Sequence, residues 1–528
     1  MQSREFFTRK ASGLVRQLSA SDALMFNVLN MGLVWTFIYI VYGPLLYPGV
    51  NMANTVLIAA GPVFLVSLTF MFFAVAMPRS GGDFVWVSRS IHPAVAFMEN
   101  FLLAAIMLSF MGPVGGWVLD PGLTSMMINW GTLTNNPALI DQAHLLVNPN
   151  NLFIVATIVA VVLVGLNFAG TRTVWRFQWA CFAFVILGIF LFIFAMLTAG
   201  HDGFVTRFNQ ISGTNYDSII KAAQSAGYDT GFTTTGLLFG TVYAFLNFFG
   251  FQWSTYVGGE VKDVHRSQVI AILGSVLLFA ALAFISFETS YLVAGSEFVH
   301  AAAFLSMTGN SAWALPMAAW SNYLVVFATN NPWIAALVGF SIVASAFGAL
   351  MTVVVFATRL VFAWSFDRII PTAFSSVDQR FHAPRNALAL VLVISMIYNY
   401  LAFYTSVLSF LSYGILGQWL TTAIIGVAAI VFPFRRKDIF EKAPKLVQAK
   451  VGGIPVMAIL GVITAVTGAL VSVATVVPQF TGAPVNPYYV LAIFLTMFVA
   501  LVIYGIAYKY NQQLGIDMRV GFREIPPA

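Results

Sequence analysis

Long stretches of this chain carry no charged residue, and this feature limits the possible folds more than any other. Ten windows of 20 or more residues contain no Asp, Glu, Lys or Arg, and only 8% of the 528 residues are charged. A helix that spans a bilayer needs roughly 20 mostly apolar residues, whereas barrel strands alternate over only about 10. The sequence therefore predicts an all-α polytopic membrane protein. The nine windows from which spans are predicted are 23–78, 100–119, 142–171, 177–201, 230–259, 267–287, 298–358, 386–434 and 451–508.

Turn-forming residues divide the longer windows into pairs of helices. The divisions fall at 47–51, 330–332 and 412–414 and around three prolines at 478–487. The segment before residue 330 is interpreted as an outer re-entrant piece. We then predict about twelve transmembrane helices: 22–46, 54–76, 93–118, 151–169, 175–199, 233–257, 268–293, 333–360, 386–404, 407–432, 455–477 and 488–508.

The positively charged residues predict which way the chain is oriented. An even number of spans puts both termini on one side, and 23 of the 25 Lys and Arg then fall on that side, with only Arg207 and Lys221 opposite. Cytoplasmic loops of membrane proteins carry the excess of Lys and Arg. We therefore expect a multi-pass protein of the cell (plasma) membrane with both termini cytoplasmic. The net charge of +6 is explained by this topology, so we expect no nucleic-acid partner.

Two spans contain poor helix formers at corresponding places. The first has Asn27, Asn30 and Gly32 among apolar residues, and the sixth has Asn247, Gly250 and Gln252. Such residues are unfavourable in a helix interior, although they also serve helix packing in membranes. Five spans start at each break, and because five is odd the second set would be inverted. Paired broken helices in inverted halves indicate the midplane site of a secondary transporter. The ends of half-helices suit a zwitterion. The N–H groups at an N-terminal end attract an anion, and the carbonyl groups at a C-terminal end attract a cation.

Three stretches of the sequence resemble the amino acid–polyamine–organocation (APC) superfamily. Residues 77–89, MPRSGGDFVWVSR, resemble its Pro-x-x-Gly-Gly-x-Tyr loop between spans two and three. Residues 249–252 with 258–263 resemble the break and cytoplasmic exit of span six, and residues 362–371 with 383–386 resemble the loop between spans eight and nine. The resemblance implies a leucine-transporter-like inverted repeat and a permease for amino acids or related small amines.

This resemblance implies the following organisation of the chain. A cytoplasmic N-terminal tail and a first five-helix repeat precede an inverted second repeat, a basic cytoplasmic loop, two C-terminal helices and a cytoplasmic C-terminal tail. Their predicted bounds are 1–20, 21–200, 233–432, 433–454, 455–510 and 511–528.

The two breaks supply the predicted substrate-binding residues, which depart from the family pattern in two ways. The glycine-rich break of span one is replaced by Asn27-Val-Leu-Asn30-Met-Gly32-Leu33, and the frequent acid of span six is Gln252. Because neither break carries a formal charge, we expect a neutral or zwitterionic small-molecule substrate. The predicted set is Asn27, Asn30, Met31, Gly32, Asn247, Phe248, Phe249, Gly250, Phe251 and Gln252.

The coupling ion is less well determined by the sequence. Some proton-coupled relatives place a lysine in span five, but residues 177–201 contain no Lys or Arg. Glu99 in span three is a candidate proton carrier, because intramembrane carboxylates are functional by default, whereas Glu288 fits an interface position. A sodium site would need oxygen ligands, which Ser341 and Ser345 offer, although such hydroxyls also bond to carbonyls of their own helix.

Glu260 closes span six on the cytoplasmic side, where we expect it to form gate or loop salt bridges. We expect a coupling ion of H⁺, with Na⁺ or simple exchange as alternatives.

Other classes of membrane protein find less support. The chain has one cysteine, no phosphate-binding loop and no metal-ligand spacing of its six histidines. We therefore predict a secondary transporter with no enzyme activity, catalytic residue, cofactor or metal. A channel would need a pore-lining ring or filter. A non-transporting solute sensor stays open as an alternative.

Overall fold

The computed structural model describes residues 16–378, 384–406, 411–482, 484–518 and 522. Eleven helices in these ranges are long and apolar enough to cross a membrane. The sixth predicted span is not among these eleven, because its helix Thr234–Phe248 ends at a break. Counting it with them gives twelve spans. Parts of the predicted tails lie outside the described residues, namely 1–15, 519–521 and 523–528. The predicted start of span ten, at 407–410, also lies outside them.

The twelve spans are numbered in chain order, and an interrupted span is given by its helical pieces. They are Ala20–Met31 with Thr36–Leu46, Met52–Ala76, Pro93–Ser109 with Met111–Gly116 and Thr124–Leu133, Pro149–Phe168, Thr171–Ser212, Thr234–Phe248, Val264–Ala294, Pro332–Phe366, Arg385–Tyr404, Leu411–Arg435, Val456–Ala474 and Pro487–Gln513.

Shorter elements connect the spans. The connecting helices are Asp83–Ser90, Pro137–Leu146, Tyr216–Ser225, Ser296–Met307, Ser321–Leu324, Val325–Phe327, Thr372–Ser375, Lys437–Phe440 and Pro478–Thr481. A two-residue antiparallel pair, Lys450–Val451 with Ile454–Pro455, precedes span eleven. The predicted outer segment before residue 330 is thus made of short helices, none of which is long enough to cross a membrane.

Polar residues at helix starts fix where several spans begin. Side chains of Asn, Ser or Thr accept a hydrogen bond from a backbone N–H of the first turn, which would otherwise have no partner. At Ser19 the bond is reciprocal, because the Asp22 carboxylate accepts from the Ser19 N–H at 2.8 Å. The other such caps of spans are Asn51, Asn148, Thr233, Asn331 and Asn486.

Spans one and six are both interrupted, as the sequence predicts. In span one Gly32 has φ +69°, a left-handed conformation that glycine adopts without steric cost, and a 3₁₀ turn Leu33–Trp35 follows. In span six the helix ends at Phe248 and Gly250 has φ +132°. Another 3₁₀ segment, Trp253–Glu260, leads to span seven.

Helical structure resumes after the predicted ends of spans three and five, but only past a break in each case. Asp120 has a non-helical backbone (φ −130°, ψ 114°), and a further helix, Thr124–Leu133, follows it. Pro121 lacks an N–H, and the Gly122 N–H donates to the Trp117 carbonyl at 2.9 Å. Gly200 has φ +64° and ψ 178°, and helical residues continue after it to Ser212. The predicted ends at 118 and 199 lie next to these two breaks.

Spans ten and eleven pack with their backbones nearly in contact. A Cβ atom at Gly461 would lie 2.7 Å from the backbone nitrogen of Ile430, and one at Gly468 would lie 2.6 Å from that of Ala423. Small residues allow membrane helices to approach in this way. We call this contact the glycine seam.

Candidate functional site

The interruptions of spans one and six touch each other in the centre of the bundle. A Cβ atom at Gly250 would lie 2.8 Å from Oδ1 of Asn30 and 3.0 Å from the backbone nitrogen of Met31. Only a glycine leaves room for this approach. The structure therefore brings together the two segments that the sequence predicts as the substrate site.

The two asparagines of span one hold this arrangement in place. The side-chain amide of Asn27 donates to the carbonyls of Phe251 and of Ala271 in span seven, and its Oδ1 accepts from the Ser254 N–H at 2.7 Å. Asn30 donates to Thr352 of span eight at 2.8 Å. Asn27 is fully buried. Its hydrogen bonds are thus made within the protein, which favours a positioning role over direct contact with a substrate.

Two of the polar side chains around the breaks that have no partner lie on spans six and eight. Oδ1 of Asn247, one turn before the break of span six, and Oγ of Ser345 in span eight are buried and accept or donate no hydrogen bond within the described residues. Leaving such a group unsatisfied costs about 1–3 kcal/mol. By contrast, Oε1 of Gln252 accepts from the Gly250 N–H at 3.2 Å. Asn247 and Ser345 are therefore available to a polar ligand.

The predicted apolar residues of the site pack mainly against neighbouring spans. Phe248 lies 5.1 Å from Phe279 of span seven and Phe251 lies 5.3 Å from Phe70 of span two, measured between ring centroids. Both rings are buried, as are Phe249 and Met31. These contacts make Phe248 and Phe251 part of the core around the breaks.

The second half of span one and the first half of span six meet through aromatic rings. The rings of Tyr39 and Tyr243 are edge to face at 5.2 Å between centroids, and both are buried. The Tyr228 hydroxyl, in the segment before span six, donates to the Pro44 carbonyl at 2.7 Å. These contacts cover the breaks on the side away from the exit of span six.

The exit of span six, which leads to span seven, is closed by an ion pair and by close backbone packing. Glu260 accepts two hydrogen bonds from Arg359 of span eight, at 2.8 and 3.1 Å, with both side chains buried. A Cβ atom at Gly258 would lie 3.1 Å from the Arg79 carbonyl, and the Gly259 N–H donates to Ser80. The expected salt bridge of Glu260 is present, with a partner from span eight.

These contacts place the loop at 77–89 and the exit of span six side by side, two of the stretches that carry the family resemblance. The family comparison agrees: the model described as "Amino acid permease" matches residues 19–505. The chain belongs to this amino acid permease family. No curated protein matches the chain. Membership of this family with an all-helical membrane fold makes the permease a transporter and not an enzyme.

A carboxyl cluster lies beside the exit of span six, on the side of the bundle where span one begins. Asp83, at the start of the helix Asp83–Ser90, accepts from the Asn100 amide at 2.6 Å, from the Tyr256 hydroxyl at 2.7 Å and from the Phe84 N–H at 2.8 Å. Glu99 lies nearby and is fully buried, and its two carboxyl oxygens have no hydrogen-bond partner among the residues that the structure describes.

The candidate sodium ligands of span eight are arranged differently from one another. The Ser341 hydroxyl donates to the Val338 carbonyl of its own helix at 2.6 Å, and Thr352 does the same to Ala349. Only Ser345 has an unpartnered hydroxyl. A sodium ion would therefore find fewer free oxygen ligands on span eight than the sequence suggests.

One acidic residue was missed by sequence reasoning. Asp120 follows the predicted end of span three at 118 and lies at the interruption between two helical pieces of that span. Its Oδ1 accepts from Thr124 at 2.7 Å, and it interacts electrostatically with Tyr42 in the second half of span one.

Proposed function

We propose that this permease moves amino acids or related small amines across the cell membrane by alternating access, with both termini in the cytoplasm. The observation that carries the proposal is the contact between Gly250 and the break of span one, with the unpartnered Oδ1 of Asn247 beside it. Broken helices that meet at the middle of a membrane bundle form the substrate sites of secondary transporters.

The helix ends at this point favour a solute with both an amino and an acidic group. The C-terminal ends of Ala20–Met31 and Thr234–Phe248 present carbonyl oxygens, which attract a cation. The N-terminal end of Thr36–Leu46 presents N–H groups, which attract an anion. No charged side chain lies in spans one and six at the breaks, so a neutral or zwitterionic substrate is the best match.

A proton is the coupling ion that fits the described side chains best. Burying an ionised carboxylate without any donor is very costly, so the partnerless Glu99 carries a proton in this conformation. A group that gains or loses a proton as the protein opens is suited to coupling. Sodium coupling finds less support, since Ser341 and Thr352 donate to carbonyls of their own helix.

The test is transport in proteoliposomes with a panel of labelled amino acids and amines. Accumulation driven by an inward pH gradient and unaffected by sodium is the expected result. In Glu99→Gln, accumulation should be lost while exchange of labelled for unlabelled substrate continues, because an amide cannot release a proton. Binding of a panel member without flux would identify a sensor, and sodium-dependent accumulation that survives Glu99→Gln would identify sodium coupling.

A further inference from the structure

The carboxyl cluster connects four elements of the permease. It consists of Asp83, Glu99, Asn100 and Tyr256, and Trp364 of span eight donates to Asn100 Oδ1 at 2.8 Å. Asp83 belongs to the loop helix, Glu99 and Asn100 to span three, and Tyr256 to the 3₁₀ exit of span six. All are buried, with Asp83 1% exposed and Glu99 0% exposed.

The hydrogen bonds show how the two acids differ. Asp83 accepts from three donors, an arrangement that stabilises an ionised carboxylate, whereas Glu99 has none and is stable only as the neutral acid. Two negative charges on Asp83 and Glu99 would repel one another. Burial raises the pKa of Asp83, although the three hydrogen bonds act in the opposite direction. Two carboxyl groups that repel in a buried site titrate as a pair and hold one proton between them.

No basic side chain neutralises this pair within the described ranges. Arg89 pairs with Asp367 at 3.1 Å, and Arg359 pairs with Glu260. The charged and titratable residues on or next to the elements packed against the cluster include Asp22, Arg89, His92, Glu260, His265, Arg266, Glu288, Tyr291, Arg359, Asp367, Arg385, Tyr398, Tyr400, Tyr404, Arg435, Tyr488, Tyr489, Tyr504, Tyr508, Lys509 and Tyr510. None of them has an ion pair or hydrogen bond to Asp83 or Glu99.

We infer that Asp83 and Glu99 form a shared proton site, and that the hydrogen bond from Tyr256 to Asp83 ties release of the proton to opening of the cytoplasmic exit. The inference rests on the proposed transport function and adds Asp83 and Tyr256 to it. In release, the O–H bond of Glu99 breaks, the proton passes to an entering water molecule, and Glu99 is left as a carboxylate.

The closed structure prevents this step. Loss of the proton would leave two negative charges in one buried site, without water and without a basic partner. The residues that shield the site are on the exit of span six, where Tyr256 bonds to Asp83 and Gly258 packs on Arg79. When this exit moves away, water reaches both carboxyl groups and the second charge becomes tolerable. The proton therefore leaves only from the inward-open state.

Infrared titration of the purified permease tests the shared site without any substrate. A protonated-carboxyl C=O band should be present at neutral pH and absent in Glu99→Gln. In Asp83→Asn its midpoint should move to lower pH by about 1 unit or more, because the repelling charge is gone. Asp83→Glu keeps that charge and should keep the midpoint near the wild-type value. Glu288→Gln removes an acid of span seven outside the cluster and should leave the band unchanged.

Proton flux into proteoliposomes that contain a trapped pH-sensitive dye tests the link to span six. Tyr256→Phe removes the hydrogen bond and should raise flux in the absence of substrate, whereas Glu288→Gln should not. A band that persists in Glu99→Gln, or a midpoint unmoved in Asp83→Asn, would overturn the shared site. Wild-type flux in Tyr256→Phe would overturn the link. If the band responds as expected but no panel solute is transported, the proton site stands and the proposed function fails.

Discussion

Arg359 of span eight and Glu260 at the exit of span six form a two-point ion pair away from solvent. Removing one partner of a buried pair leaves an uncompensated charge and costs about 3–5 kcal/mol. Glu260→Gln should therefore lower the free energy of unfolding in detergent by about that amount. The pair Arg436–Asp438 supplies the control because its Asp438 side chain is exposed, so Asp438→Asn should cost only about 0–1 kcal/mol.

A double-mutant cycle checks that this loss comes from the pair itself. Replacing Glu260 and Arg359 together by Gln and Met should cost less than the sum of the two single changes, because neither charge is then left alone. Strict additivity would show that the two side chains act separately.

Asn247 and Asn27 should respond differently to truncation. Asn247→Ala should weaken substrate binding about 5- to 150-fold, the cost of one buried hydrogen bond, with little loss of stability. Asn27→Ala removes three internal hydrogen bonds and should lower the unfolding temperature more than the affinity. Equilibrium binding and thermal unfolding of both variants separate the two effects. Unchanged affinity in Asn247→Ala would move the site elsewhere.

Gly250→Ala should impair folding or binding even though it adds only one carbon. The new Cβ would meet Asn30 and Met31, and φ +132° is unfavourable for alanine. Gly165→Ala in span four is the matched control, because a Cβ there meets nothing within 4 Å and alanine stabilises a helix by about 1 kcal/mol relative to glycine. Folded yield and substrate affinity should fall only in the first variant. Equal folded yield and equal affinity of the two variants would show that the breaks of spans one and six can move apart without loss of function.

The orientation of the chain can be measured by thiol labelling of intact cells. Asp141, Lys221 and Lys442 are all exposed, so accessibility of a cysteine at each depends on the side of the membrane. An impermeant reagent added outside should label Asp141→Cys and Lys221→Cys but not Lys442→Cys. Cys181 is buried, so it contributes little background. Labelling at position 442 alone would invert the topology.

The sequence predicted the helical membrane fold and both broken spans because these depend on local properties. A charge-free window of 20 residues can form few structures in a bilayer other than a spanning helix. Asn and Gly in mid-helix favour a break whichever helices pack around it. The sequence did not predict that helical structure resumes after the breaks at Asp120 and Gly200, because this depends on tertiary packing and not on local hydropathy.

The partners of the polar residues could not be predicted, because they come from distant parts of the chain. Glu99 was singled out for its position in span three, but nothing in the sequence joined it to Asp83 or Tyr256. Likewise, Glu260 was expected to form gate or loop salt bridges, but nothing in the sequence named Arg359 of span eight as its partner. Such contacts depend on how the spans pack, which hydropathy does not encode.

The glycine seam affects how the permease meets the lipid around it. Backbones this close cannot slide past one another without colliding, so span ten cannot tilt alone and must carry span eleven with it. The outward face of span eleven bears exposed apolar residues, including Val462, Val466 and Leu470. Any tilt of the pair changes the length of apolar surface that the acyl chains must cover, and a mismatch costs free energy for each ångström. The thickness of the bilayer therefore contributes to the free-energy cost of every conformational change in which span ten moves.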